Sequence, residues 1–176
     1  MKKETAVLGN GCFWCTEAIF QQLKGVIKVT SGYSGGQMDN PDYQSVCNGT
    51  TGHAECLEIQ FDTSIISFEQ LLEVFFNTHN PTTLNRQGDD IGSQYRSAIF
   101  TTSDQQKSEV EQSMAIYQGE LDKNSIGPIV TQVLAADAHQ YFEAEQYHQR
   151  YLEKNPNGYD CHSNTGVNFP DSMVIA

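Results

Sequence analysis

The amino-acid sequence predicts an α+β protein: a two-layer sandwich whose core follows the order strand, helix, strand, strand, helix, strand through residue 102. That is the ferredoxin-like split βαβ order, βαββαβ, and an extra helix, a further strand and a loop-rich C-terminal tail follow it. Three observations carry the prediction. Residues 54–62 alternate with period two, placing Leu57, Ile59 and Phe61 on one face and Glu58, Gln60 and Asp62 on the other. Two stretches carry a helical apolar stripe behind a Ser N-cap, the first starting at Ser67 and the second at Ser103. Short apolar runs fall at the places between them where strands are needed.

Taken in order, Ala6-Val7-Leu8 is the first strand, and Gly11-Cys12 opens a helix carrying Phe13, Ile19, Phe20 and Leu23 that stops near Gly25. Val26, Ile27 and Val29 form a β-branched strand leading into Gly32-Tyr33-Ser34-Gly35-Gly36, whose glycines mark a turn or a close backbone approach. From there to about His53 the chain is polar and reads as loop. By the parity of the following strand Glu55 belongs to the inward row, and Cys56 faces away from it. A carboxyl group so placed is held protonated by desolvation; a frayed strand end pointing to water is the bland alternative.

Ser67 and Gln70 make a capping box before Leu71, Leu72, Val74, Phe75 and Phe76, so a second helix runs to about Thr78. A polar loop from Asn80 to Gln94 follows, then a strand from Tyr95 to Thr102. The third helix has the stripe Val110, Met114, Tyr117 and Leu121, which is ordinary core. Ile129 to Ala136 is a further strand, Phe142 to Leu152 a last short helix, and the tail beyond Asn155-Pro156 is irregular and surface-wrapped. No repeat or linker interrupts residues 1–176, which read as a single domain.

Ten Lys and Arg against 22 Asp and Glu give 10 − 22 = −12. Such a surface repels nucleic acid and anionic membranes. No stretch approaches the roughly 20 apolar residues of a membrane span, and the basic start Met1-Lys2-Lys3 is not followed by a signal-peptide core, so a cytoplasmic location is expected. The five cysteines are Cys12, Cys15, Cys47, Cys56 and Cys161. An odd number without an export signal argues for thiol chemistry rather than a disulfide framework.

The stretch Gly11-Cys12-Phe13-Trp14-Cys15 concentrates that chemistry. A thiol at a strand-to-helix turn meets free backbone N–H groups and the positive end of the helix dipole, which favour the thiolate. Phe13 and Trp14 beside it can line a pocket for an apolar group; the alternative is that both rings are core. Two other readings of the cysteines stay open on spacing alone. One is a thioredoxin-like thiol-disulfide oxidoreductase built on Cys12-x-x-Cys15, although no strand begins with the proline that chemistry needs. The other is a zinc-binding module joining that pair to Cys47, His53 or Cys56, weakened by the lack of a second close pair.

Gly11-Cys12-Phe13-Trp14, the 32–36 block, Pro41-Asp42-Tyr43, the run 49–55 (Gly-Thr-Thr-Gly-His-Ala-Glu) and the run 92–97 (Gly-Ser-Gln-Tyr-Arg-Ser), taken together, resemble peptide methionine sulfoxide reductase of the A type. The resemblance implies that Cys12 is the nucleophile, Glu55 the proton donor to the sulfoxide oxygen, and Tyr43 and Tyr95 hydroxyl donors to that oxygen. Phe13 and Trp14 would hold the substrate's methyl group, with Asp90 shaping the pocket. It further implies the S epimer at sulfur, no resident cofactor or metal, and recycling by an external dithiol of the thioredoxin type. For the resolving thiol, Cys161 resembles the single resolving cysteine of shorter bacterial forms, with Cys15 as rival and Cys47 behind both.

Overall fold

The computed structural model describes residues 2–157 and 164–170. It has the expected α+β class. Strand β1 (Lys3–Asn10) leads to helix α1 (Phe13–Phe20), strand β2 (Val26–Ser34), the short helix α2 (Tyr43–Cys47), strand β3 (Ala54–Asp62) and helix α3 (Phe68–Asn77). A small hairpin of β4 (Arg86–Gln87) and β5 (Asp90–Ile91) precedes β6 (Ser97–Thr101), helix α4 (Asp104–Lys123), β7 (Gln132–Ala135), β8 (Phe142–Glu143) and helix α5 (Tyr151–Lys154). The main sheet has the order β7-β6-β1-β3-β2-β8; every pairing is antiparallel except that of β6 with β7.

The period-two pattern of β3 explains the layering. Leu57, Ile59 and Phe61 join Ala6 and Leu8 of β1 and Ile99 of β6 in one apolar cluster with Phe20, Leu72, Phe75, Phe76, Val110, Tyr117 and Leu121 of α1, α3 and α4. The large helices therefore lie on one face, and each fully buried Leu or Phe there contributes roughly 1.5–3 kcal/mol of transfer free energy. Ala54, Cys56, Val7, Ala98 and Phe100 point the other way and pack under Leu134, Ala136 and Tyr141. Both predicted caps on the long helices form. Ser67 Oγ accepts from the Gln70 N–H at 3.1 Å while Gln70 Oε1 accepts from the Ser67 N–H at 2.9 Å, and Ser103 Oγ accepts from the Gln106 N–H at 3.1 Å.

Four expectations change. The segment up to His53 is not all loop: Asp42 and Ser45 cap each other across α2, a capping box too short in its apolar follow-on to show as periodicity. The polar stretch from Asn80 to Gln94 contains the β4–β5 hairpin, and Tyr95 sits in a 3-10 turn (Ser93–Tyr95) before the strand instead of opening it. The expected helix from Phe142 to Leu152 is instead β8, a 3-10 turn (Gln146–His148) and α5. Here the backbone is taken up by the edge of β2, and tertiary pairing overrides the local pattern.

The fourth change is that the 32–36 glycine block begins inside a strand. β2 runs through Gly32 and Tyr33, which pair with Glu143 and Phe142 of β8. A Cβ on Gly32 would stand 2.5 Å from the Phe142 carbonyl oxygen and from the Tyr141 ring, so close approach, and not a turn, is what requires glycine there. Gly32→Ala should accordingly cost on the order of 1–3 kcal/mol by pushing β8 off the sheet. Thermal unfolding checks this, with a Tm lowered by several degrees as the expected outcome.

Candidate active site

Cys12 occupies the N-cap of α1 with extended backbone (φ −61°, ψ 121°) and is 8% exposed. The strand-to-helix turn read from the sequence is therefore present. Gly11 makes it possible with φ +103°, and a side chain there would meet Gln87 Cγ at 2.9 Å. Thr16 closes the turn from the far side, donating both its N–H and its hydroxyl to the Cys12 carbonyl at 3.3 Å.

Glu55 is 1% exposed, on the inward face of β3, as parity predicts. Its Oε1 accepts the backbone N–H of Phe13 at 3.2 Å, so the carboxyl group lies against the residue next to Cys12. Tyr43 and Tyr95 complete the polar side. Burial first, then the neighbouring Cys47 thiol and the charge of Glu55, raise the Tyr43 pKa well above the ordinary phenol value. Burial likewise raises Tyr95, followed by the nearby charges of Glu55, Cys47, Asp90 and Cys12. Both phenols thus stay protonated donors at any physiological pH, and the groups acting on Tyr95 include four of the residues singled out in the sequence. Asp90 pairs with Gln87 in the β4–β5 hairpin.

The two aromatics after Cys12 part company. Phe13 is 1% exposed, packed against Tyr33 at 5.7 Å and His148 at 5.2 Å between ring centroids. Trp14 is half-buried and stacked: its ring lies on Tyr151 at 3.8 Å and 12°, with Tyr43 farther off at 6.2 Å and 23°. Its Nε1–H donates to His148 Nδ1 at 3.0 Å across 134 residues of sequence. A neutral His148 therefore carries its proton on Nε2, which is buried and without a hydrogen-bond partner among the described residues.

His148, Tyr151, Tyr33 and Glu145 are the residues that sequence reasoning missed. Glu145 ties several together: Oε1 accepts from the Tyr33 hydroxyl and Oε2 from the Tyr43 N–H, both at 2.9 Å. Burial pushes its pKa up, but the N–H groups of Tyr43 and Glu145 itself and the Tyr33 hydroxyl bring it below the usual carboxylate value. The signal available was the cluster Tyr147-His148 with Tyr151 three residues on, which a helical reading absorbed. His53, within the 49–55 block, is structural: Nδ1 accepts from the Gly36 N–H at 2.9 Å and Nε2 donates to the Met38 carbonyl at 2.7 Å.

The other thiols separate cleanly. Cys56 lies on the opposite face of the sheet, bonded to the Ala54 carbonyl at 3.3 Å, and burial pushes its pKa up to about 12. Cys15 is buried in α1 and Cys47 is exposed at the end of α2. Cys161 lies outside the described residues. Among the described residues no cluster of three or more His, Cys, Asp or Glu side chains is arranged to hold a metal ion, and no helix is long and apolar enough to cross a membrane.

The pKa of His148 is lowered, first by burial, with the charge of Glu145 opposing. A histidine whose folded pKa lies below its unfolded value binds fewer protons when folded, so its contribution is complete above about pH 6.5 and is lost as pH falls below that. Acidification from about pH 7.5 to pH 5.5 should loosen the 146–154 segment and shift the emission of Trp14, the sole tryptophan. His148→Gln, which cannot titrate, should show a markedly smaller shift over the same range.

Comparison with known proteins identifies this arrangement. The family model for peptide methionine sulfoxide reductase matches residues 4–172. A curated relative from Sulfolobus acidocaldarius, "Peptide methionine sulfoxide reductase MsrA", is 49% identical over 98% of each chain. Among solved structures, methionine sulfoxide reductase A of Corynebacterium diphtheriae superposes with a TM-score of 0.86 at 37% identity, covering 96% of this chain and 84% of that one. Mxr1 from Saccharomyces cerevisiae in complex with Trx2 shares the fold, with a TM-score of 0.59, 22% identity and coverage of 93% and 90%. A thiol at a helix N-cap and an inward carboxyl group bonded to the next residue are thus found in a chain that belongs to the peptide methionine sulfoxide reductase family.

Proposed function

We propose that this chain reduces methionine S-sulfoxide, free or in proteins, to methionine, with Cys12 as nucleophile and Glu55 as general acid. The observation that carries the reading is the 3.2 Å bond between Glu55 Oε1 and the Phe13 N–H, which brings a carboxyl group shielded from water against the first residue after the N-cap thiol. A sulfoxide oxygen leaves only once protonated. Burial favours the neutral acid over the carboxylate, which supports Glu55 as the group that delivers the proton.

The Cys12 thiolate attacks sulfur while Glu55 protonates the oxygen, with the Tyr43 and Tyr95 hydroxyls donating to it as charge develops. Attack forms a bond between the Cys12 and methionine sulfurs as the protonated oxygen departs as water. A water molecule then attacks the Cys12 sulfur, the S–S bond breaks and methionine leaves, so that Cys12 becomes a sulfenic acid; methionine sulfur is reduced by two electrons and the thiol is oxidised by two. Trp14 holds the methyl group and Phe13 backs it from the core, while Asp90 shapes the rim. A second thiol, assigned to Cys161, then displaces water to form a disulfide, which an external dithiol reduces. The yeast relative solved with Trx2 supports a thioredoxin-type protein in that part. In this reading the 1–176 chain acts as a single catalytic domain without a resident cofactor, in a reducing cytoplasm.

Turnover of each methionine sulfoxide epimer with dithiothreitol as reductant tests the assignment: the S epimer should turn over and the R epimer should not. Cys12→Ser should abolish turnover, and Glu55→Gln, which keeps a hydrogen-bonding group but loses the transferable proton, should lower kcat on the order of 10²-fold or more. Near-normal rates in either variant would remove that residue from its role.

The recycling step has its own test. After stoichiometric oxidation by substrate, peptide mass mapping should find a Cys12–Cys161 link, and Cys161→Ser should complete one turnover and then stall with thioredoxin. A Cys12–Cys15 link with normal cycling of Cys161→Ser would transfer the resolving role to Cys15.

A further inference from the structure

We propose that Gln149 is a positioning residue for this reaction: its carboxamide grips the backbone of Ser31 and thereby fixes His148 and Tyr151 around Trp14. The inference rests on the reading of Trp14 as a wall of the substrate pocket. β8 pairs with β2 only at Gly32 and Tyr33. One residue earlier, at Ser31, a side chain takes over part of the partner strand's work. Gln149 Oε1 accepts the Ser31 N–H at 2.9 Å, and Nε2 donates to the Ser31 carbonyl at 2.9 Å and to the Ala144 carbonyl at 3.0 Å. The Ala144 N–H also donates to the Ser31 carbonyl at 2.9 Å, so the buried carboxamide supplies the acceptor that the Ser31 N–H lacks on the strand, adds a second donor to its carbonyl and ties both to Ala144.

What this grip holds is set by chain connectivity. His148 precedes Gln149 and meets the edge of Trp14 through the 3.0 Å bond to Nε1–H. Arg150 follows in the left-handed conformation, φ 56° and ψ 41°, reversing the chain so that Tyr151 meets the indole face at 3.8 Å. A non-glycine residue in that conformation persists only where its surroundings impose it. The Gln149 clamp is the adjacent buried contact, with the buried Glu17 carboxylate close to the backbone N–H groups of Arg150 and Tyr151, whereas the Arg150–Glu153 ion pair is exposed on both sides. Ser31 also turns its hydroxyl to Glu17 Oε2 at 3.1 Å, so the same residue that receives Gln149 is tied to α1, the helix that carries Trp14. The edge of β2 is thus the common reference for both halves of the aromatic stack.

The test uses the chemistry of the clamp. Gln149→Glu keeps the size, but an ionised carboxylate faces two carbonyl oxygens with an acceptor, whereas a protonated carboxyl group donates to one of them. Relative to wild type at each pH, the variant should show a KM for methionine sulfoxide raised roughly tenfold at about pH 8 and nearly restored at about pH 5.5, with kcat within about threefold throughout. Trp14 emission in the variant should follow the same pH curve, and Gln149→Met should show the raised KM without recovery. Wild-type KM and emission in both variants would overturn the proposal. So would a loss of fold at every pH, which would make Gln149 a stability residue. Trp14→Ala separates the inference from the reading beneath it. A raised KM there beside an unaffected Gln149→Glu defeats the clamp alone, whereas an unchanged KM there removes the pocket wall and the inference with it.

Discussion

The register between β1 and β3 is the constraint on which the site depends. Leu8 pairs with Leu57, and running the two antiparallel strands onward from that pair brings the end of β1 and the turn at Cys12 level with Glu55. A slip of one residue would turn Glu55 to the opposite face and point Cys56 at the helix instead. Apolar packing enforces this register: Leu8, Leu57, Ile59 and Phe61 are all fully buried, and a slip would expose them. The hydrogen bond from Phe13 to Glu55 is then a consequence of core packing, which is why a carboxyl group can be held so far from water.

Where a single strand or helix decides its own neighbours, the sequence was informative. The alternation in β3 located Glu55, the Ser67 and Ser103 caps located two helices, and the Gly11-Cys12 turn located the N-cap thiol. What stayed hidden is the part made by contacts across the chain. Gln149 imitates a strand residue, Arg150 reverses the backbone without glycine, and the His148 imidazole answers an indole 134 positions away. None of these has a local period, so the same residues read equally well as a short amphipathic helix. The glycine block at 32–36 shows the same limit from the other side. The sequence leaves a turn and a close backbone approach both open there, and only β8 in place decides for the close approach at Gly32.

The aromatic cage divides labour by exposure. Phe13 is fixed between Tyr33 and His148 and behaves as core, whereas Trp14 keeps one edge hydrogen-bonded and one face stacked while remaining half-open. A rigid but accessible indole suits recognition of a small apolar group, since little side-chain entropy is left to lose on binding. The carboxylate of Glu145, accepting from Tyr33 and Tyr43 at once, braces the opposite wall.

The 134-residue span of the Trp14–His148 bond bears on how the protein is made. Synthesis proceeds from the N-terminus, so β1, α1 and β3 can pair and set Cys12 beside Glu55 well before residues 142–154 leave the ribosome. During that interval the Cys12 thiol exists without the imidazole, the second stacking ring and the Glu145 brace. A nascent or C-terminally clipped chain therefore presents a thiol with no finished cage around it.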